Sequence, residues 1–227
     1  VIESEESPTL EQDSIETPSL IDSPLEEDPS LIESTLEENL DIIEQTDSID
    51  SQEDIGIQAA CGVWPCDCGD TITASITMTA NLSNCVGNGL NVVADNIIID
   101  CDGYNLTGDA SGTDYGINMT SRNNVTIVNC NISSFSNAVL FSNTSNSFVR
   151  NSTINSSGNQ NIWMEDDSSY NTVDNNVFLV GASYTFWIDN SSYNNITNNQ
   201  MTTADPNFIY TRVGAHNNYV YNNVMVS

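Results

Sequence analysis

Two stretches, WMEDDSSYN (163–171) and WIDNSSYN (187–194), carry the side chains best suited to chemistry. Superposing SSYN at 168–171 on SSYN at 191–194 sets Asp166 or Asp167 beside Asp189 and Asn190, and leaves one extra acidic residue in the run that begins at Glu165. Carboxylates this close repel unless a proton or cation intervenes, so Ca²⁺ is the metal such a cluster would take. The ordinary reading is a solvated turn, because no DxDxDG-type loop or glycine–aspartate nonapeptide accompanies it. No other cofactor is indicated.

The same superposition turns Ile162, Met164, Phe186 and Ile188 inward. Trp163 and Trp187 then point outward at equivalent positions, with Tyr210 next in the column. Flat rings stack on sugar CH faces and polar neighbours read hydroxyls, so these three residues are candidates for holding a glycan. A strict ten-residue separation between segments would instead turn Trp163 inward and bury Glu165, which is costly.

Composition narrows the chemistry. Thirty-two acidic residues face three basic ones, Arg122, Arg150 and Arg212, and lysine is absent. Without a basic patch to displace counterions, nucleic acid and anionic membrane surfaces are poor partners, and neither nucleic-acid binding nor membrane insertion is expected. No run reaches the ~18 apolar residues of a membrane span. Residues 1–60 hold 19 of the 32 acids, four prolines and no basic residue, which makes them an extended, self-repelling tail. Within it, Ser30 and Glu33 form a capping box ahead of Ile32, Leu36, Leu40 and Ile43, the pattern of a short amphipathic helix over 31–45. Six cysteines, Cys61, Cys66, Cys68, Cys85, Cys101 and Cys130, cluster at the start of the remaining chain. An even, clustered set points to disulfides and an oxidising compartment, though six allow 15 pairings. A metal site on Cys61, Cys66 and Cys68 is the alternative; it lacks a CxxC pair, and His216 is remote.

The elements that must position these side chains follow from an internal repeat. The segments NVTIVNCNI (124–132), NSFVRNSTI (146–154), NTVDNNVF (171–178), NNITNNQM (194–201) and NNYVYNNVM (217–225) superimpose without gaps. Their aliphatic anchors Ile127, Val149, Val173, Ile196 and Val220 recur every 22–24 residues. Two residues after each stands Asn129, Asn151, Asn175, Asn198 or Asn222. NIIIDCDGY (96–104) fits with Ile99 as anchor, and GDASGTDYG reads as an inserted turn. One such unit cannot bury its apolar face. Stacked at the ~4.8 Å spacing of parallel strands, the units form a continuous core. The asparagine column suits left-handed corners, where stacked amides can hydrogen-bond from coil to coil.

With CDCGDTIT (66–73), NGLNVVADNIIIDCDGYNLTG (88–108) and the repeated NNxIxNN units, residues 61–227 resemble the right-handed parallel β-helix repeat proteins of the pectate-lyase-like superfamily, NosD-like and archaeal surface proteins included. The resemblance implies an all-β solenoid with a disulfide-containing N-terminal cap over 61–95 and coils over 96–227. It also implies bonds Cys68–Cys85, Cys101–Cys130 clipping the first coils, and Cys61–Cys66. Lyases of the superfamily set an Arg or Lys base beside calcium-binding carboxylates, and its hydrolases cluster aspartates; here lysine is absent and the arginines sit in separate coils.

These features predict a secreted or cell-surface structural or adhesive β-helix without enzymatic activity. Its partners would be copies of itself or other surface proteins. The C-terminal coil shows no cap, so head-to-tail assembly into filaments or a layer is expected. A carbohydrate-binding module, or a polysaccharide lyase or hydrolase, is the alternative. Sequons at Asn81, Asn105, Asn118, Asn124, Asn131, Asn143, Asn151, Asn155, Asn190 and Asn195 are candidate glycosylation sites.

Overall fold

The structure, a computed structural model, describes residues 59–179, 181–202 and 208–226. The helix expected over 31–45, and nearly all of the acidic tail, lie outside the described residues.

The chain winds into a parallel β-solenoid of about seven turns, and its described strands fall into three sheets. Sheet A has eight strands, at Ala60–Cys61, Thr71–Ile72, Leu90–Val92, Tyr115–Thr120, Asn137–Ser142, Gln160–Glu165, Tyr184–Ile188 and Ile209–Thr211. Sheets B and C have seven each, and every strand pairs in parallel with its equivalent one coil away. The anchor column lies along sheet B. Ile76, Ile99, Ile127, Val149, Val173, Ile196 and Val220 pair in unbroken register, and all but Val220 are buried. The longer step from Ile99 to Ile127 is absorbed in the turn between the Asn105–Gly108 and Tyr115–Thr120 strands. Sheet C contributes Leu82, Leu106, Ile132, Ile154, Phe178 and Met201, and sheet A contributes Ile117, Met119, Val139, Phe141, Ile162, Met164, Phe186 and Ile188. Each such side chain stabilises the fold by roughly 1.5–3 kcal/mol.

The corners are made by left-handed residues. Asn129, Asn151, Asn175, Asn198 and Asn222 all have φ between 53° and 56°, the conformation that asparagine tolerates best after glycine. Their side chains, however, do not form the continuous ladder. Asn175 Nδ2 donates to Asn151 Oδ1 (2.8 Å), whereas Asn129 and Asn198 donate to Asp100 and Asp174. The ladder belongs to the next residue, which turns inward. Cys130 N donates to Ser152 Oγ, Ser152 N to Asn176 Oδ1, Asn176 N to Asn199 Oδ1, and Asn199 N to Asn223 Oδ1, at 2.9–3.0 Å. Each of these asparagines also donates Nδ2 to a backbone carbonyl: Val149, Val173 or Ile196. A second inward ladder, Ser147–Asn171–Asn194–Asn218, runs along the preceding corner. Buried backbone N–H groups at a tight corner need partners, and these side chains supply them.

The six cysteines pair as Cys61–Cys66, Cys68–Cys85 and Cys101–Cys130, with no free thiol.

Candidate functional site

Sheet A carries the chemistry because of a bend at its entry. In a regular strand successive side chains alternate between faces. Here a Cβ on Gly116 would meet Ile132 and Phe135, so this residue faces the core, and Ile117 after it is also fully buried. Two consecutive inward residues leave Tyr115 on the outer face, with Asn137, Gln160 and Tyr184 in register behind it. Beyond the bend, Asn118, Leu140, Trp163, Trp187 and Tyr210 form one outward column. Thr120, Ser142 and Glu165 form the next, and Asp189 follows them one coil on.

The aromatic rings along these columns touch. Trp187 and Tyr210 have centroids 4.6 Å apart, and Tyr184 packs against both at 5.0 and 5.2 Å. Arg212 lies over the Trp187 ring, its guanidinium carbon 5.6 Å from the centroid. The Tyr115 and Trp163 rings meet at 6.3 Å although their strands are separated by Asn137–Ser142. They close over that strand, which explains why the outward Asn137, Leu140 and Ser142 are buried. Trp163 stands outward, half-buried, between the fully buried Ile162 and Met164. Tyr115 and Tyr184 were not among the sequence candidates; the signal was an aromatic three residues before the outward column.

Asp167 lies beside Asn190, as the superposed motifs predict, but the acidic side chains do not gather round one centre. Asp166 Oδ2 accepts from Ser142 Oγ in the preceding coil, Asp167 Oδ1 accepts from Asn190 Nδ2 in the following one, and Asp189 pairs with Arg212 at 3.2 Å. The extra residue makes the chain take two consecutive left-handed conformations, φ 52° at Asp166 and 63° at Asp167, and these send the carboxylates to different neighbours. A shared Ca²⁺ on Asp166, Asp167 and Asp189 therefore has no common centre. Glu165 is the carboxylate that faces the aromatic column. Partial burial, with Asp166 and Asp189 nearby, raises its pKa above the usual range. Burial and then the Glu165 charge raise that of Tyr115.

The remaining candidates are dispersed. Among the sequons, Asn81, Asn105, Asn124, Asn143, Asn151 and Asn190 are exposed, and Asn118, Asn131, Asn155 and Asn195 are half-buried. Asn155 Oδ1 is itself buried. Among the described residues, the only trio of His, Cys, Asp or Glu whose ligand atoms lie within 4.8 Å is Cys61, Cys66 and Asp70.

A family model described as periplasmic copper-binding protein (NosD) matches residues 35–227. The chain belongs to the NosD family. No curated protein sequence matches it. Seven chains of solved structures do. One is a putative glycosyl hydrolase from Parabacteroides merdae, at 10% identity and a TM-score of 0.47, covering 85% of this chain and 89% of its own. Another is DFA-IIIase from Arthrobacter chlorophenolicus without its lid, at 13% and 0.49, covering 74% of this chain and 54% of its own. A third is the tailspike of E. coli bacteriophage HK620 in complex with a pentasaccharide, at 12% and 0.48, covering 85% and 41%. This NosD-family chain thus spans about half or less of the latter two.

The donor set does not fit the copper of the family's description. Copper favours thiolate, thioether and imidazole ligands. All six cysteines are bonded to one another, and Asp70 spends its two oxygens on the Ala59 and Asp67 N–H groups. Met78, Met119, Met164 and Met201 are sealed in the core, Met225 is exposed, and His216, its Nδ1 held against Gly214 O at 2.7 Å, belongs to no trio of His, Cys, Asp or Glu among the described residues.

Proposed function

We propose that this NosD-family chain is a secreted or cell-surface β-helix without enzymatic activity that adheres to carbohydrate through the outer face of sheet A. The observation that carries this reading is the in-register column of Trp163, Trp187 and Tyr210, extended sideways by Tyr184 and bordered by Asn118, Thr120, Glu165 and Asp189. Rings spaced by one strand step of ~4.8 Å offer successive flat surfaces along the solenoid axis. Their polar neighbours can bond to hydroxyls. A location outside the cytoplasm is supported by three disulfides and by the periplasmic description of the family. Among the described residues no helix is long and apolar enough to cross a membrane.

The arginines support a binding role over a lyase one. Arg122 Nη1 donates to Val93 O and pairs with Asp95, Arg150 lies in sheet B, and Arg212 is engaged by Asp189 and Trp187. A hydrolase is the second reading, favoured by Glu165: a carboxyl with a raised pKa beside a second carboxylate is the pattern of a general acid and its partner.

A glycan array and a panel of polysaccharide-cleavage assays, with and without Ca²⁺, separate the two. Retention that weakens in Trp187→Ala and persists in Glu165→Gln, without new reducing ends, supports adhesion. Reducing ends that appear with the wild type and vanish with Glu165→Gln would establish hydrolysis instead.

A further inference from the structure

We propose that Asp114, Asn137 and Gln160 hold a small hard cation, of the Ca²⁺ type, at the edge of sheet A beside the Tyr115 and Trp163 rings. Asp114 is 3% exposed and Asn137 2% exposed. Asp114 Oδ1 accepts from Ser136 N at 2.6 Å, while Oδ2 is buried without a hydrogen-bond partner. Asn137 N donates to Asp114 O at 3.0 Å and Asn137 Nδ2 lies 3.5 Å from the same carbonyl, so the two residues sit together. Asn137 Oδ1 is likewise buried and unpartnered, as is Gln160 Oε1, on the residue paired with Asn137 in the next strand.

These three unfilled atoms are acceptors, one of them on a carboxylate; the Trp163 ring beside them carries one buried, unpartnered donor, Nε1–H, which brings no positive charge. Reversing the Asn137 amide would set its oxygen against the Asp114 carbonyl at the 3.5 Å contact, and reversing either amide supplies an N–H but no positive charge to offset Asp114. No arginine is spare to neutralise Asp114: Arg122 is tied to Asp95 and Val93, Arg212 to Asp189, and Arg150 stands on sheet B. A buried carboxylate without a counter-charge is strongly disfavoured. Oxygen-only donors of mixed carboxylate and amide type are those of a hard cation rather than of copper. The site is separate from Asp166, Asp167 and Asp189, and does not depend on carbohydrate recognition.

With one carboxylate, the affinity for Ca²⁺ should resemble that of extracellular calcium modules, with a dissociation constant on the order of 10⁻⁴–10⁻³ M. Tb³⁺ added to the full chain should give saturable luminescence excited through the neighbouring indole and chased by Ca²⁺ in that range. Asp114→Asn should abolish the signal, and Asp166→Asn with Asp167→Asn should leave it intact. Asn137→Asp adds a second carboxylate; its melting temperature should fall without Ca²⁺ and be restored with it. A signal that survives in Asp114→Asn, or that is lost equally in the Asp166 and Asp167 variants, would overturn the proposal. Should Asp114→Asn fail to fold, Asn137→Asp decides: destabilisation that Ca²⁺ does not reverse would show a purely structural polar cluster.

Discussion

Asn199→Ala should cost far more stability than Asn198→Ala, although the two residues are neighbours of identical type. Asn199 Oδ1 accepts from Asn176 N at 2.9 Å and from Asn176 Nδ2 at 3.1 Å, while its Nδ2 donates to Val173 O at 2.9 Å. Truncation strands the Asn176 N–H, on a residue 1% exposed, and removes two further bonds, from Asn176 Nδ2 and to the Val173 carbonyl. The stranded N–H costs about 1–3 kcal/mol and each lost bond about 0.5–1.5 kcal/mol, about 2–6 kcal/mol together. Asn198 is exposed, with φ 55° and one bond to Asp174. Alanine there loses mainly the left-handed preference, about 1–2 kcal/mol. Urea unfolding read at the midpoint, with the slope unchanged, measures both losses. Hydrogen exchange should show the Asn176 amide losing protection only in Asn199→Ala. Equal costs for the two variants, or a larger cost for Asn198→Ala, would refute the inward ladder as the source of corner stability.

Three other perturbations test the framework. Replacing Cys101 and Cys130 by serine opens a 29-residue loop and should cost about 3–4 kcal/mol, against about 2 kcal/mol for Cys61 and Cys66, which close a 5-residue one; denaturation of the two double variants checks the order. Because the Glu165 pKa is raised on folding, the folded state holds that proton more tightly than the unfolded chain. Stability should therefore fall as pH rises from the ordinary glutamate range towards the raised value, and Glu165→Gln should flatten that part of the melting-temperature profile. Gly116→Ala would set a methyl 2.7 Å from Ala138 O and from Ile132 Cγ2; the melting temperature should drop by the equivalent of about 1–3 kcal/mol, with loss of the near-ultraviolet signal of the Tyr115–Trp163 contact.

The solenoid was legible because its signal is repetitive. Ile127, Val149, Val173, Ile196 and Val220 recur at nearly constant spacing, and one coil's register repeats in all. The ladder was misplaced by one residue because the later coils carry asparagine pairs, Asn175–Asn176, Asn198–Asn199 and Asn222–Asn223. Composition cannot say which member turns inward, and the earlier coils carry Cys130 and Ser152 at the inward position. The outward column was readable from Trp163 and Trp187, but the bend at Gly116 that resolves their register was not, since it depends on Phe135 filling the space a side chain would take. The alignment rightly set Asp167 beside Asn190, but it could not show that Asp166, Asp167 and Asp189 each take a different partner, Ser142, Asn190 and Arg212. The Tyr115 ring reaching across a whole strand is a long-range packing outcome with no local signature.

The most direct test of carbohydrate adhesion is a titration of glycan, selected on an array, against the protein's tryptophan fluorescence in a Trp64→Phe background. Saturable change is expected. Trp187→Ala should weaken binding by about two- to twelvefold, as loss of one aromatic contact worth about 0.5–1.5 kcal/mol implies. Tyr193→Ala, which removes an exposed ring from the Tyr170 stack outside sheet A, should leave it unchanged. Binding that survives Trp187→Ala intact, or that falls with Tyr193→Ala instead, would contradict the assignment of the sheet A face as the adhesive surface.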